Sequence, residues 1–179
     1  DSLIYIVAYA SPDFSITQIG NLASLRIGIK NASKEQSENV LEASALLSGA
    51  HIHHKIADNI IAAIWRKYIL NCAYNITTAR YNRTIGQLRE DTETAAQYET
   101  LVRESWLVSE AAGAGVPETS INEIIDQFYH KLDPASTSSL QRDIWAGRPS
   151  ELETFSGYLV RKAKELSVTV LLSETMYSD

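Results

Sequence analysis

Apolar and polar positions alternate in two different ways along the chain, and the change falls near residue 30. Residues 2–10 form a continuous apolar run, which is typical of a strand covered on both faces in an α/β sheet. Two more short strands are predicted at residues 15–19 and 25–29, with turns at Ser11-Pro12-Asp13 and Gly20-Asn21. Beyond residue 29 the apolar period becomes about 3.6, which predicts helices.

The helical pattern is punctuated by capping and stop signals. Ser33 with Gln36 is a capping-box pair and Gly49 a stop, so a helix is predicted between them, with Val40, Ala43 and Leu47 facing inward. Further helices are predicted at about 58–82, 92–112, from Ser120 onward, 136–145, 151–166 and near Ser173. The fold class is therefore mainly α: about three short strands in residues 1–31, then an all-helical domain in residues 32–179.

Composition narrows the class of protein. A net charge of −6 argues against nucleic acid as a partner, because phosphate binding requires a basic face. The single Cys72 excludes a disulfide framework within the chain, and no apolar run approaches the roughly 20 residues that a membrane span needs. We therefore expect a cytoplasmic protein with no membrane partner.

The helix predicted at 58–82 contains an unusual row of polar residues. Lys67, Asn71 and Asn75 stand at i, i+4 and i+8, so they share one face. A cation and two carboxamides in line can hold a small oxyacid or a polarised carbonyl. The ordinary alternative is that this row is the solvated side of an amphipathic helix.

A second polar stretch runs from Ser138 to Glu151. A helix start rich in hydroxyl groups, with Ser139 in it, can bind a carboxylate. Glu151, near the start of the following helix, could pair with a lysine and keep it protonated. The alternative is ordinary helix capping with solvated surface charges.

Together the two stretches resemble one family. Residues 67–75 are similar to the K-x-x-x-N-x-x-x-N helix of ketopantoate reductases, and Trp65 precedes them as in that family. Residues 139–153 resemble its S-x-x-x-D-I-x-x-G-R-x-S/T-E-I/L-D/E signature, and Gly157 follows at the matching place. The resemblance covers essentially the whole chain, because residues 4–28 are similar to the last strands of the family's nucleotide-binding domain.

This resemblance implies a fold, an activity and roles for five residues. The fold would be a helical domain like the C-terminal domain of 6-phosphogluconate dehydrogenase, preceded by strands of a Rossmann-type domain. The activity would be NADPH-dependent reduction of ketopantoate in pantothenate biosynthesis. Lys67 would be the general acid at the keto oxygen, Asn71 and Asn75 would hold the substrate's hydroxyl end, Ser139 would bind its carboxylate, and Glu151 would contact the cofactor side and the lysine.

Three departures from the family pattern weaken the transfer of these roles to this chain. A further substrate asparagine of the family falls at Ile85, and a proline near the last helix appears as Leu171. The chain also contains no G-x-G-x-x-G, and Gly113-Ala114-Gly115 follows a predicted helix instead of a strand. We therefore expect the main NADPH site in a domain preceding Asp1, and we expect these 179 residues alone to be inactive.

Other readings of the sequence remain open. The chain could be a paralogue that reduces another 2-oxoacid, or a helical interaction module that has lost the chemistry. His51 and His53 face one side of an extended segment, but a zinc site needs three or four converging ligands, so no metal is expected. Unpaired strand edges in residues 2–29 predict a homodimer or higher oligomer in which these strands pair between molecules.

Overall fold

The computed structural model describes residues 1–10 and 13–178, so Ser11 and Pro12 of the first predicted turn lie outside the described residues. The chain divides into two compact units, Asp1–Ile64 and Trp65–Asp179. The domain boundary expected after residue 31 stays a prediction.

The first unit contains a three-stranded sheet. Strand β1 (Ser2–Ala10) pairs antiparallel with β2 (Ile16–Ile27), and β3 (His54–Ile56) pairs parallel with the end of β2. Leu3 of β1 is buried, whereas Ile4 and Val7 of the same strand are 47% and 56% exposed. Within the described residues β1 is thus not covered on both faces, contrary to the expectation from its apolar run.

Within the described residues the strands predicted at 15–19 and 25–29 are not separate, because both fall in the single strand β2. The chain does not turn at Gly20, because β2 continues through it as one strand. Ile6 faces Ala23 and Ala8 faces Gln18, so four residues of β2 (19–22) oppose a single residue of β1. Gly20 has a φ of +70°, a conformation that glycine adopts without strain, and it lies in this bulge. The third strand is instead β3, in the segment that was expected to be an extended link.

Helix α1 (Lys34–Gly49) begins as predicted, with both hydrogen bonds of the capping box between Ser33 and Gln36. Its inward face was wrong in one position, since Ala43 is exposed, while Val40 and Leu47 are half-buried. The described residues of the first unit pack α1 mainly against the short β3, so no residue of α1 is fully buried.

The long helix α2 (Ile60–Tyr81) is followed by a series of helices in the second unit. They are α3 (Ile85–Glu90), α4 (Thr92–Ala111), α5 (Glu118–His130), α6 (Ser139–Trp145), a π-helical turn (Glu153–Gly157), α7 (Tyr158–Glu165) and α8 (Leu171–Ser178). No helix of the described residues is both long enough and apolar enough to cross a membrane.

Three of these helices differ from the sequence prediction. Helix α3 was missed, although Thr84 and Gln87 form a capping box at its start. Helix α5 begins at Glu118 with Pro117 at its N-cap, so Ser120 lies inside the helix instead of capping it. The helix expected at 151–166 opens with the π-helical turn.

The core of the second unit joins these helices. The ring of Tyr98 on α4 is fully buried and stacks on Phe128 of α5, with centroids 4.0 Å apart. Trp106 donates its indole N–H to the carbonyl of Val116, at 3.0 Å, so it fixes the loop between α4 and α5. The largest other fully buried side chains of this unit are Ile69, Ile85, Leu88, Leu101, Ile121, Ile124, Leu140, Leu159 and Gln141.

Candidate functional site

The polar row predicted on α2 is present on that helix. Lys67 and Asn71 are half-buried, and Asn75 is only 4% exposed. The positions between them are apolar, and Ile69 and Cys72 are fully buried, so the same helix holds the core with one face and the row with another.

Partial burial changes the acidity of Lys67. Removing an ammonium group from water disfavours its charged form, and this desolvation lowers the pKa of Lys67 below the ordinary lysine value. A lysine with a lowered pKa gives up its proton more readily than an ordinary lysine, which suits a general acid.

Asn75 connects α2 to the start of α6. Its Nδ2 donates to the backbone carbonyl of Asn71 at 2.9 Å. Its Oδ1 accepts from the hydroxyl of Ser139 and from the backbone N–H of Leu140, each at 3.3 Å. The structure therefore brings Asn71, Asn75 and Ser139 together, and Ser139 itself is exposed.

Two further residues of α2 hold the same end of α6. The hydroxyls of Thr78 and Ser138 are hydrogen-bonded at 2.7 Å, and Ser138 caps α6 by accepting from the N–H of Gln141. The hydroxyl of Tyr74 donates to the carbonyl of Thr137 at 3.2 Å. These contacts were not predicted, although Thr78 continues the row from Asn75 by one helical turn.

Glu151 lies apart from this group. Its carboxylate is exposed, and within the described residues it makes no ion pair or hydrogen bond. Its backbone carbonyl accepts from the N–H groups of Thr154 and Phe155, both at 3.0 Å. The structure thus places Glu151 just before the π-helical turn and does not pair it with Lys67.

The π-helical turn is attached to α2 by two side chains. The hydroxyl of Tyr68 donates to the carbonyl of Thr154 at 2.8 Å, and the thiol of Cys72 donates to that of Phe155 at 3.1 Å. Burial raises the pKa values of both groups, so both remain protonated donors. Cys72 is fully buried. No sequence signal marked Tyr68, because the π-helical turn was not foreseen.

One of the positions that depart from the family pattern, Ile85, is part of the core. Ile85 is fully buried at the start of α3, and its backbone N–H donates to the carbonyl of Ser136 at 3.1 Å. A side chain in this place is apolar and covered, so it offers no hydrogen bond to a ligand.

Two open depressions formed by described residues of the second unit are not lined by the predicted site residues. One of about 460 Å³ is lined by Tyr68, Glu153, Thr154, Tyr158 and Arg161. The other, of about 330 Å³, is lined by Arg83, Gln87, Glu90 and Asp91.

Of the histidines in the first unit, His51 and His53 are exposed, whereas His54 is half-buried and makes internal contacts. His54 has one ring nitrogen 2.7 Å from the hydroxyl of Ser44 and the other 2.8 Å from the carbonyl of Ile52. Among the described residues there is no group of three or more His, Cys, Asp or Glu side chains placed to hold a metal ion.

Comparison with known proteins adds family information to this geometry. A family model described as "Ketopantoate reductase PanE/ApbA C terminal" matches residues 59–178. The 2-dehydropantoate 2-reductase of Caulobacter vibrioides is 31% identical over 119 residues, 66% of this chain and 40% of that protein. The uncharacterized oxidoreductase YkpB of Bacillus subtilis is 26% identical over 161 residues, 88% of this chain and 52% of that protein. The chain thus spans about half the length of these relatives, or less.

Solved structures show the same fold. A dimeric ketopantoate reductase from Staphylococcus aureus superposes with a TM-score of 0.85 at 22% identity, over 99% of this chain and 58% of that one. A ternary complex of D-mandelate dehydrogenase with NADH and anilino(oxo)acetate superposes with a TM-score of 0.82 at 18% identity, over 98% of this chain and 56% of that one. The mainly helical fold with a few preceding strands, predicted from the sequence, is confirmed.

Proposed function

Because the chain belongs to the ketopantoate reductase family and matches its C-terminal part, we propose that it forms the substrate-binding part of an NADPH-dependent 2-dehydropantoate 2-reductase. The observation that carries this proposal is the half-buried Lys67 on one helix face with Asn71 and Asn75, beside Ser139. The pathway would be pantothenate biosynthesis in the cytoplasm.

Lys67 is the proposed catalytic acid. As the keto carbon is reduced, negative charge develops on the keto oxygen, and an ammonium group placed there stabilises charge that exists only in the transition state. Lys67 then donates its proton to that oxygen to complete the alcohol. The lowered pKa of Lys67 assists this transfer.

The remaining site residues bind and orient the substrate. Asn71 and Asn75 lie in the part of the site that holds the hydroxyl end of the substrate, and Ser139 provides a hydroxyl that binds the substrate's carboxylate. Glu151 is proposed on the cofactor side, with a second role beside Lys67. Its exposed carboxylate would have to approach the lysine when ligands bind.

The nicotinamide cofactor, when bound, supplies the hydride. The described residues offer no cradle for its pyrophosphate: Gly113 and Gly115 both have positive φ, but they follow the end of α4 and do not join a strand to a helix. We therefore propose that a nucleotide-binding domain preceding Asp1 holds NADPH, and that the 179 residues alone are inactive. We also propose a homodimer, since one protein of the same fold is a dimeric ketopantoate reductase.

The buried Ile85 favours a second candidate, a reductase of another 2-oxoacid. With an apolar core residue where the family has an asparagine, the substrate's hydroxyl end has one partner fewer. A substrate without that hydroxyl would lose nothing by this change.

The test is to follow NADPH oxidation by the complete gene product that contains these residues, with ketopantoate and with other 2-oxoacids. Turnover of ketopantoate that is lost in Lys67→Ala and kept in Lys164→Ala, an exposed lysine of α7, would support the first candidate. Turnover of another 2-oxoacid alone would support the second. No turnover with any 2-oxoacid would refute both candidate functions and leave a non-catalytic helical module.

A further inference from the structure

The two asparagines of the α2 row differ in what their carboxamides already bind. We propose that Asn75 is a positioning residue that acts on the substrate through Ser139, while Asn71 contacts the substrate directly. This inference rests on the proposed function and refines it, because the family resemblance gives both asparagines the same role.

The carboxamide of Asn75 is largely used by the protein itself. A backbone N–H can only donate, so the bond from Leu140 fixes which end of the carboxamide is oxygen. That oxygen has two lone pairs, and they accept from Leu140 and Ser139. One of the two N–H groups donates to the carbonyl of Asn71, which leaves a single donor on a side chain that is 4% exposed.

Asn71 is the opposite case. It is half-buried, and its carboxamide makes no hydrogen bond within the described residues. All four of its hydrogen-bonding positions are thus available to a ligand on that face. A polar group of a substrate would therefore meet Asn71 at lower cost than Asn75, whose protein bonds would first have to break.

The bonds of Asn75 hold the residue that is proposed to bind the carboxylate. Ser139 and Leu140 are the first two residues of α6, and Asn75 bonds both. Thr78, one turn further along α2, bonds the cap residue Ser138. Without Asn75, Ser139 loses its hydroxyl acceptor and the Leu140 N–H is left without its side-chain partner, so the hydroxyl is no longer fixed.

The experiment compares two substrates that differ in one group, ketopantoate and its analogue with hydrogen in place of the hydroxyl. We expect Asn71→Ala to lower kcat/KM for ketopantoate by about tenfold and to change the analogue little, since one hydrogen bond to the hydroxyl is lost. We expect Asn75→Ala to lower kcat/KM equally for ketopantoate and for the analogue, mainly by raising KM. The variant Asn75→Ala/Ser139→Ala should be no worse than the more impaired of its two single variants, because both changes remove the same contact. A loss in Asn75→Ala that is confined to ketopantoate, or effects of Asn75 and Ser139 that multiply, would overturn the proposal.

Hydrogen exchange of the Leu140 amide in the same proteins provides a readout that needs no substrate. Exchange should accelerate in Asn75→Ala and stay unchanged in Asn71→Ala. Unchanged exchange in Asn75→Ala would refute the positioning role. If the unsubstituted protein turned over no 2-oxoacid, the proposed function would fail, while the exchange data would still decide whether Asn75 holds α6.

Discussion

The last helix depends on a carboxylate that lies 67 residues before its first residue. Glu104 on α4 accepts from the backbone N–H of Leu172 through Oε1, at 2.9 Å. Its Oε2 accepts from the backbone N–H and the hydroxyl of Ser173, at 2.8 and 2.6 Å. Glu104 thus satisfies N–H groups at the start of α8 that have no partner within the helix.

The substitution Glu104→Gln should lower the stability of the chain by about 2 kcal/mol. Glutamine has one acceptor oxygen, so in either orientation its NH₂ group faces a backbone N–H of α8. One hydrogen bond to a charged group is lost, worth about 1.5–3 kcal/mol, together with about 0.3–1 kcal/mol from the helix dipole. Partial exposure of Glu104 reduces this sum, because water can replace some of the contact.

Urea unfolding at equilibrium measures this difference, with Glu110→Gln as the matched control. Glu110 also lies on α4, but it is exposed and its side chain makes no bond within the described residues. The melting temperature of Glu104→Gln should fall by roughly 4–8 °C. If both variants stay within about 0.5 kcal/mol of the parent, the carboxylate does not hold α8 and the reasoning is refuted.

Three further predictions follow from single residues. Leu171→Pro should leave the free energy of unfolding in urea unchanged or raise it by up to about 1 kcal/mol. Leu171 is the exposed first residue of α8, and proline is favoured at that helix position. A loss of stability above about 1 kcal/mol would contradict this. Cys72 should resist Ellman's reagent at pH 8 in the folded chain and react after denaturation, because burial raises its pKa to about 12; rapid reaction of the folded chain would show that the thiol is accessible. Turnover should decline as the pH rises, with an apparent pKa below the ordinary lysine value of 10.5, because burial lowers the pKa of Lys67 and only its protonated form is an acid. A pH profile of turnover that is flat up to pH 10.5 would exclude Lys67 as the acid.

The sequence predicts helices well where a local signal defines an end. The capping box of Ser33 and Gln36 placed the start of α1 correctly. The equivalent pair Thr84 and Gln87 starts α3, and the same rule applied there would have found that helix. Both signals depend on residues three positions apart, which is why they can be recognised without the fold.

Strand pairing was harder to predict from the sequence, because it depends on residues that are distant in the chain. Gly20 was interpreted as a turn, since glycine with asparagine is common in turns. The same positive φ serves a bulge when the partner strand continues, and that partner, β1, lies earlier in the chain. The three residues of β3 are too few to show a period, and only their pairing with β2 makes them a strand.

In the candidate site, too, the local arrangement can be predicted from the sequence and the long-range contacts cannot. Helical periodicity places Lys67, Asn71 and Asn75 on one face, because positions four apart are neighbours on any α-helix. Periodicity says nothing of which carboxamide the protein uses, since that depends on Ser139, which lies 64 residues after Asn75. Two residues that look equivalent in the sequence are therefore different in the folded chain.

Helix α2 connects all parts of the proposed site. Asn75 and Thr78 hold the start of α6, where Ser139 lies, and Tyr68 holds the turn that follows Glu151. Lys67 is the residue next to Tyr68, so the proposed acid and this anchor share a stretch of backbone. A rigid helix that carries the acid and also bonds the two other segments fixes their separations without requiring the side chains to touch one another. Within the described residues Lys67 and Glu151 form no hydrogen bond or ion pair with each other, and their positions are related through α2 and the π-helical turn that Tyr68 attaches to it.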